Sequence, residues 1–173
     1  MSADTASHHR RLGIRPATEA DAASICTIYN QGIEDRLATL ETTLRTPQER
    51  REWLAARGPR HPVLVAERDD AIVGWGSLNA FNPRPAYDHV ADFSVYVERA
   101  SRGTGVGGAI IEALEREARR LGYHKMVLAM FAWNDAGVAL YRKAGFRIVG
   151  TYREQGRLDG RWVDTTLMEK LLD

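Results

Sequence analysis

The chain has 173 residues, of which 44% are hydrophobic and 27% are charged, as is typical of one globular domain. Its 24 Lys and Arg residues balance 23 Asp and Glu residues, so a net charge of +1 gives no bulk attraction to nucleic acid or to a membrane. The single cysteine, Cys26, excludes an intramolecular disulfide. No apolar run approaches the roughly 20 residues of a membrane span. We therefore expect a cytoplasmic protein with neither a nucleic-acid nor a membrane partner.

The N-terminal half combines helix signals with one hairpin. Residues 1–12 are small, polar and basic, so we predict a flexible leader followed by one domain over 13–173. An apolar segment at 12–15 predicts a first strand, and the segment from Pro16 and Thr18 to Asp21 predicts a helix start. The run from Thr46 to Glu49 predicts a second helix with a capping box. β-branched runs at 63–67 and 72–79 predict two strands of a hairpin.

The C-terminal half alternates strands and helices before a last hairpin. Residues 90–97 predict a strand, and a glycine-rich turn then opens a helix that ends at Gly122. Residues 125–131 predict a buried strand, and Asn134 caps a short helix that ends at Gly145. The runs at 146–153 and 162–171 predict a hairpin around residues 158–161. This order predicts an α+β fold with one mixed central sheet flanked by helices.

The turn at residues 102–108 has the composition of a phosphate site. Unpaired backbone N–H groups and the helix dipole favour an anion at a helix N-terminus. Arg102 adds a positive charge. Because Gly103, Gly105 and Gly107 have no side chains, an anion can approach these amides closely. The turn also matches a dinucleotide fingerprint, but residues 126–133 lack the acid required for the ribose. The turn also lacks the ending that is typical of a nucleoside triphosphate loop. A site for a diphosphate group is therefore the prediction that remains.

Two segments resemble the GNAT N-acetyltransferases. The string Arg102-Gly103-x-Gly105-x-Gly107 is similar to their pyrophosphate loop, and the segment from Asn134 through Tyr141 to Gly145-Phe146 is similar to their second cofactor segment. The resemblance extends from about Ile14 to Leu171 and implies the GNAT fold with acetyl-CoA as cosubstrate. The cofactor-binding residues that it implies are Val95, Val97, Arg102, Gly103, Gly105, Val106, Gly107, Gly108, Asn134 and Tyr141.

Within this superfamily the chain most resembles the phosphinothricin acetyltransferase branch, with relatives acting on methionine sulfoximine or arsinothricin. The segments that carry this are Leu40-Glu41-Thr42 before Thr46-Pro47-Gln48-Glu49, Arg84-Pro85-Ala86-Tyr87-Asp88 and Gly160-Arg161-Trp162. Asp92 stands where the branch usually has Glu, and Val163 stands where some members have His. The resemblance implies a homodimer. The substrate-binding residues that it implies are Leu40, Glu41, Arg84, Tyr87 and Asp92.

Acyl transfer to an amine needs a base, since the amine is protonated near neutral pH. Asp92 lies in an apolar strand and is our candidate, with a structural arginine pair or an exposed sheet edge as the alternative. Tyr141 is the candidate acid for the departing thiol, with core packing as the alternative. Cys26 has no neighbouring His or Asp, so we predict direct transfer without an acyl-enzyme. Scattered histidines predict no metal site.

The acceptor is the least constrained part of the prediction. Arg84 and Tyr87 precede the Asp92 strand and could clamp a carboxylate, with a solvated arginine as the alternative. We expect acetylation of the α-amino group of a small amino acid, such as phosphinothricin, arsinothricin or methionine sulfoximine. The alternatives are acetylation of a protein N-terminus or lysine by the same fold, and a non-catalytic CoA-binding sensor.

Overall fold

The computed structural model describes residues 11–172, so the predicted leader lies outside the described residues except for its last two positions. One seven-stranded sheet has the order β1-β2-β3-β4-β5-β7-β6, in which β4 and β5 are parallel and all other neighbours are antiparallel. This confirms the predicted α+β fold with a mixed central sheet. Among the described residues, no helix has the length and apolar character to cross a bilayer.

The elements follow the chain in simple order. The strands are β1 (Gly13–Pro16), β2 (Val63–Arg68), β3 (Ala71–Ala80), β4 (Val90–Val97), β5 (Lys125–Phe131), β6 (Arg147–Leu158) and β7 (Arg161–Leu171). The helices are α1 (Ala22–Glu34), α2 (Pro47–Ala55), α3 (Val106–Arg120) and α4 (Asp135–Lys143). Short 3-10 turns occupy Glu19–Asp21, Pro85–Tyr87 and Arg99–Ser101.

Local capping chemistry explains one predicted helix start and corrects the other. Thr46 Oγ1 accepts from the Glu49 backbone N–H at 3.2 Å, so the predicted capping box opens α2. The helix start predicted over Pro16 to Asp21 is confirmed in part: Thr18 is the N-cap of a 3-10 turn at Glu19–Asp21, whereas Pro16 still belongs to β1 and α1 begins at Ala22. Asp21 accepts from the Thr18 backbone N–H at 2.7 Å and closes a 3-10 turn between the strand and the helix.

The last hairpin is longer than its hydrophobic pattern indicates. Strand β6 continues to Leu158 rather than stopping at residue 153. Its pairing with β7 shifts register between Tyr152 and Gly156, and Glu154 there has a positive φ of 52°. The irregularity breaks the alternation of side chains but not the pairing of the strands. The predicted turn at 158–161 is confirmed.

Helices cover both faces of the sheet. Helix α3 packs closely on β3, where a Cβ on Gly76 would lie 2.6 Å from Ile110 Cγ2, so only glycine allows this approach. On the opposite face α1 and α2 enclose an aromatic cluster in which Trp75 and Tyr96 stack with ring centroids 4.7 Å apart. Strand β4 contributes side chains to both layers because successive residues alternate between faces.

The centre of the sheet contains a gap. Strand β4 pairs with β5 only from Val90 to Asp92, opposite Lys125 to Val127. Beyond Asp92 the two strands diverge, although β4 stays paired with β3 and β5 stays paired with β7. The facing edges of β4 and β5 therefore have backbone groups without a ladder partner, which must be satisfied by another group.

Candidate active site

A cleft of 490 Å³ occupies the gap between the diverging strands. We call it the gap cleft. Its walls are the later half of β4, the middle of β5, and the N-terminal ends of α3 and α4. The residues that line it include Phe93 to Val97, Leu128 to Met130, Arg102, Gly103, Gly105, Gly107, Gly108, Asn134, Leu140 and Tyr141.

The glycine turn presents unpaired amides to this cleft. Gly103 and Gly105 have φ values of +74° and +89°, in the left-handed region that favours glycine. A Cβ on either residue would meet no atom within 4 Å, so the space above the turn is open. The Ala109 N–H donates to the Gly105 carbonyl at 3.1 Å, and the α3 amides before it have no intrahelical acceptor. The turn can therefore hold an anion.

Arg102 lies on the rim of the gap cleft but is already paired. Its Nη1 lies 2.6 Å from Asp35 at the end of α1, and Arg99 contacts the same carboxylate at 2.8 Å. Hydrogen bonds from Arg99 and then Arg102 lower the pKa of Asp35. The rim arginine is thus held in place by an acidic residue that the sequence analysis did not identify.

Most of the predicted cofactor residues lie along the gap cleft, and Val106 is the exception. Its side chain is buried in the hydrophobic core, which leaves only its backbone for contact with a ligand. Gly107 has a packing role in addition, because a Cβ there would lie 3.0 Å from Leu140 Cδ2. Asn134 caps α4 by accepting from the Gly137 N–H at 2.9 Å, and its Nδ2 donates to the Leu37 carbonyl.

Asp92 lies where the gap begins. Its Oδ2 accepts from Asn79 Nδ2 at 3.4 Å, and the same amide contacts Ser94 Oγ at 3.3 Å. Burial raises the pKa of Asp92 to about 6, against a smaller opposite effect of the Asn79 hydrogen bond. Within residues 11–172 no arginine pairs with it, in contrast to the structural alternative considered above. Such a carboxylate can accept a proton near neutral pH.

Asn79 is held by two further donors. Arg57 Nη2 donates to Asn79 Oδ1 at 2.9 Å, and Ser77 Oγ donates to the same oxygen at 3.1 Å. These contacts fix the amide so that its donor side faces Asp92. The sequence analysis missed Asn79 and Arg57. In the sequence, Asn79 is visible only as an amide near the end of the apolar β3 run. Its contact with Asp92 can be predicted only when the pairing of β3 with β4 is known.

Tyr141 is enclosed between two phenyl rings, with centroids 5.8 Å from Phe93 and 5.9 Å from Phe146. Burial raises the pKa of Tyr141, and the negative charge of Asp92 raises it further. The phenol is therefore protonated at neutral pH. It lines the gap cleft within electrostatic range of Asp92, where it can donate a proton.

A second cavity of 330 Å³ lies beneath α1 and α2, and α1 also borders the gap cleft, through Ile28 and Gly32. We call it the aromatic pocket. Ser94 and Tyr96 line both cavities, and Asn79, which contacts Asp92, also lines this one. The two cavities thus share Ser94 and Tyr96 of β4. Asp92 lies two residues before Ser94 on the same face of the strand and lines neither cavity itself. The aromatic pocket is lined by Tyr29, Glu41, Arg45, Glu49, Arg50, Trp53, Trp75, Ser77, Asn79, Ser94 and Tyr96.

The predicted substrate residues are divided by the fold. Glu41 lines the aromatic pocket and accepts from Arg45 Nε at 2.8 Å. Leu40 lines neither cavity and instead packs against Gly156.

Arg84 and Tyr87 lie in the exposed loop before β4 and line neither cavity. The Tyr87 ring packs against Phe81 with centroids 5.5 Å apart. The expectation of a pocket closed by Arg84 and Tyr87 therefore differs from the structure, because the loop turns these side chains outward. Within the described residues, the Arg84 guanidinium has no hydrogen-bond or ion-pair partner and remains available to a ligand.

Comparison with known sequences gives one consistent result. Residues 27–146 match the Acetyltransferase (GNAT) family. The chain is 35% identical to the L-methionine sulfoximine/L-methionine sulfone acetyltransferase of Pseudomonas paraeruginosa, over 92% of this chain and 94% of that protein. It is 31% identical to the phosphinothricin N-acetyltransferase of Streptomyces coelicolor, over 92% of this chain and 95% of that protein.

Comparison with solved structures agrees. A ribosomal-protein-alanine N-acetyltransferase from Brucella melitensis superposes with a TM-score of 0.89 and 39% identity, covering 92% of this chain and 99% of that chain. An acetyltransferase from Salmonella typhimurium, solved with its cofactor acetyl-CoA, gives a TM-score of 0.90 and 32% identity, covering 94% of this chain and 95% of that chain.

Proposed function

Because the chain belongs to the acetyltransferase (GNAT) family, we propose that it transfers the acetyl group of acetyl-CoA directly to the α-amino group of a small amino acid. The observation that carries this proposal is that two cavities share Ser94 of β4, two residues from Asp92. One cavity offers an anion site and the other offers a small, largely aromatic enclosure. A group-transfer enzyme needs both its substrates to meet at one proton acceptor.

The gap cleft has the features that acetyl-CoA requires. The open glycine turn and the charge of Arg102 would hold the diphosphate. Past Asp92, the free edge of β4 near Val95 and Val97 offers backbone groups for the amides of the cofactor arm. The thioester would then lie towards Tyr141, which lines the same cleft.

The proposed reaction follows from these positions. Asp92 accepts a proton from the ammonium group of the acceptor, and the free amine attacks the thioester carbonyl carbon. The carbon–sulfur bond then breaks, and the thiolate takes the proton of Tyr141. The amine nitrogen loses its second proton as it becomes an amide, and this proton returns to the Tyr141 phenolate through solvent. Cys26 is not a nucleophile in this scheme, because burial raises the pKa of its thiol and Sγ donates to the Arg45 carbonyl at 3.1 Å.

The acceptor that we propose is an amino acid similar to glutamate or methionine in length. A cavity of 330 Å³ suits such a molecule better than a folded protein surface. Phosphinothricin and methionine sulfoximine, which appear in the names of the relatives, belong to this class. Arsinothricin has the same length and a similar anionic end.

A thiol-release assay tests the proposal directly. Acetyl-CoA is mixed with the protein and with amino acids or their phosphinate, arsinate, sulfone and sulfoximine analogues. We expect CoA release with small acceptors that have a free α-amine, and none with the N-acetylated forms. Tight acetyl-CoA binding without release for any amine would instead identify a CoA-binding sensor.

Protein N-terminal acetylation is a second candidate, favoured by the name of the Brucella melitensis neighbour. The same assay distinguishes it when a short peptide that begins with alanine is included. If that peptide exceeds every free amino acid in kcat/KM, the acceptor is a protein N-terminus.

Tyr141→Phe should lower kcat by about 100-fold, the lower end of the range usual for a general acid. The KM for acetyl-CoA should change little, since the ring still packs between Phe93 and Phe146. Steady-state kinetics at saturating acetyl-CoA measures both values. Unchanged turnover would reduce Tyr141 to a packing residue.

Arg84 lines neither cavity, so it can bind the acceptor carboxylate only from outside them. If it does, Arg84→Ala should raise the KM for the amino acid by about 10- to 100-fold, because a charge-assisted contact is lost. The KM for acetyl-CoA should stay the same, since Arg84 does not line the gap cleft. Esterification of the acceptor carboxylate should raise the KM of the parent enzyme for the acceptor as much as Arg84→Ala does. In the variant, esterification should change this KM hardly at all. Losses that simply add would exclude Arg84 as the carboxylate clamp.

A homodimer is also part of the proposal. The outermost strand β6 and its partner β7 carry exposed apolar side chains, which include Val149, Tyr152 and Trp162. An apolar patch on an edge strand is typical of an interface. Light scattering should give twice the chain mass at micromolar concentration, and Trp162→Glu should shift the protein towards monomer.

A further inference from the structure

The aromatic pocket contains a buried cation without a counter-ion. Arg50 of α2 is only 8% exposed, and within residues 11–172 its side chain has no hydrogen-bond acceptor and no carboxylate partner. Its guanidinium stacks on the Tyr29 ring at 3.8 Å and lies 5.1 Å from the Trp53 ring centroid. A buried charge is costly unless it is paired, so this arrangement calls for a ligand.

A second donor in the same pocket is also unpartnered. Two buried side-chain nitrogens in the described part of the chain have no hydrogen-bond partner, namely Arg50 Nε and Trp75 Nε1, and both residues line the aromatic pocket. Among the Arg50 nitrogens only Nε is sealed, so the two terminal nitrogens remain open to the pocket. Arg50 Nε and Trp75 Nε1 are themselves sealed from the pocket, so the donors that a ligand can reach are the terminal N–H groups of Arg50, and such groups require oxygen acceptors.

Within residues 11–172, both carboxylates of the pocket contact Arg45, and neither forms an ion pair with Arg50. Arg45 Nε lies 2.8 Å from Glu41 Oε2, and Arg45 Nη1 lies 3.5 Å from Glu49 Oε1. Glu49 also accepts from the Thr46 backbone N–H at 2.6 Å. The two carboxylates and two guanidinium groups of the pocket sum to zero net charge. Arg50 is still the member of this group whose side chain has no direct ion pair or hydrogen bond in the described part of the chain, so its N–H groups remain for a ligand.

Arg50 lies at the far end of the pocket from Asp92. Trp75, whose ring centroid is 6.0 Å from Arg50 Cζ, is four residues from Asn79 on β3. That separation is roughly 13 Å of extended strand. An acceptor of the length of glutamate or methionine spans only about 6 Å from its amine to its terminal oxygens, so the side chains of Asp92 and Arg50 must cover the remainder. An amino acid with its amine at Asp92 keeps its α-carboxylate near the amine, and its side chain is the part that can extend towards Arg50.

We propose that Arg50 determines acceptor specificity by binding the oxygen atoms at the end of the acceptor side chain, in an inference that rests on the proposed function. The ligand class is a side chain that ends in a tetrahedral phosphorus or sulfur centre bearing acceptor oxygens. A guanidinium presents two parallel N–H groups to two oxygens on one such centre. The aromatic walls contact its methylene and methyl groups.

The test compares L-methionine sulfone with L-methionine, which share the amine and the α-carboxylate and differ in the two oxygens on sulfur. The parent protein should acetylate the sulfone with a kcat/KM about 10- to 100-fold higher, the size expected for charge-assisted hydrogen bonds. In Arg50→Met the ratio of the two kcat/KM values should fall to near one, because only the sulfone loses a contact to its oxygens. Phosphinothricin, which is anionic, should lose most.

Arg51→Met is the matched control. Arg51 is the exposed neighbour of Arg50 on the same helix and contacts only Gln48 Oε1, at 3.0 Å, so the preference should persist. Calorimetry with acetyl-CoA checks that each variant is folded and keeps its cofactor affinity. The melting temperature of Arg50→Met should equal or exceed that of the parent, because an unpaired buried charge is removed. If Arg50→Met fails to fold, the same comparison is made with Arg50→Gln.

The outcomes separate the two proposals. If the parent acetylates L-methionine and its sulfone equally, or if the Arg50 variants lose both activities in the same proportion, Arg50 does not bind the side-chain oxygens. Acetylation of amino acids would then still stand. If the parent acetylates no free amino acid, the proposed function itself is wrong, and the assignment of Arg50 falls with it.

Discussion

Gly105→Val should abolish acetyl-CoA binding, with affinity reduced more than about 100-fold, because several charge-assisted contacts to the diphosphate are lost together. A Cβ at this position meets no protein atom within 4 Å, so the added side chain projects into the open gap cleft. It would occupy the space in which phosphate oxygens approach the amides of α3. Isothermal calorimetry with acetyl-CoA measures the effect.

The control for this variant lies at the other end of the same helix. Gly122 follows α3 with a φ of +78°, and a Cβ there also meets no atom within 4 Å. Gly122→Val therefore introduces a similar backbone strain far from the cleft. We expect this variant to bind acetyl-CoA normally. Undiminished binding by a folded Gly105→Val would contradict the placement of the diphosphate.

Asp92→Asn should lower kcat at pH 7 by about 100- to 1,000-fold, the usual contribution of a positioned general base. In the parent, kcat/KM should fall below a pKa of about 6, since a protonated Asp92 cannot accept the amine proton. The variant should not show this fall in kcat/KM at low pH. It should recover part of its activity at high pH, where free amine is abundant. An unchanged pH profile would exclude Asp92 as the base. The control is Asp88→Asn, which removes the carboxylate of an exposed loop residue.

The same substitution should increase stability. Burial raises the pKa of Asp92 to about 6 in the folded state, above its ordinary value of 3.8. Between these values the folded protein binds the proton more tightly than the unfolded chain, so stability falls as pH rises from about 4 to 6. At 1.36 kcal/mol per pKa unit the cost at neutral pH is at most about 3 kcal/mol. Asp92→Asn should therefore melt at a higher temperature than the parent at pH 7, and at a similar temperature near pH 4.

The cofactor side of the site could be predicted from the sequence because its chemistry is local. The glycine turn at 102–108 and the cap at Asn134 each depend on residues within a few positions, and backbone conformation alone opens the amides. The structure places both segments along one cleft. The width of that cleft was not predictable, because it depends on where β4 stops pairing with β5.

The acceptor side depends on residues far apart in sequence, and only the tertiary structure brings them together. Asn79 contacts Asp92 because β3 and β4 pair in a register that places them opposite each other. From the sequence alone, Arg50 would be predicted to lie on the solvated face of its helix. In the structure the packing of α2 places its guanidinium against the Tyr29 ring. Conversely, Arg84 is close to Asp92 in sequence, yet its loop lies outside both cavities. Sequence alone thus determined the anion-binding turn through local backbone chemistry, whereas strand register and helix packing decided which charged groups are buried beside the base.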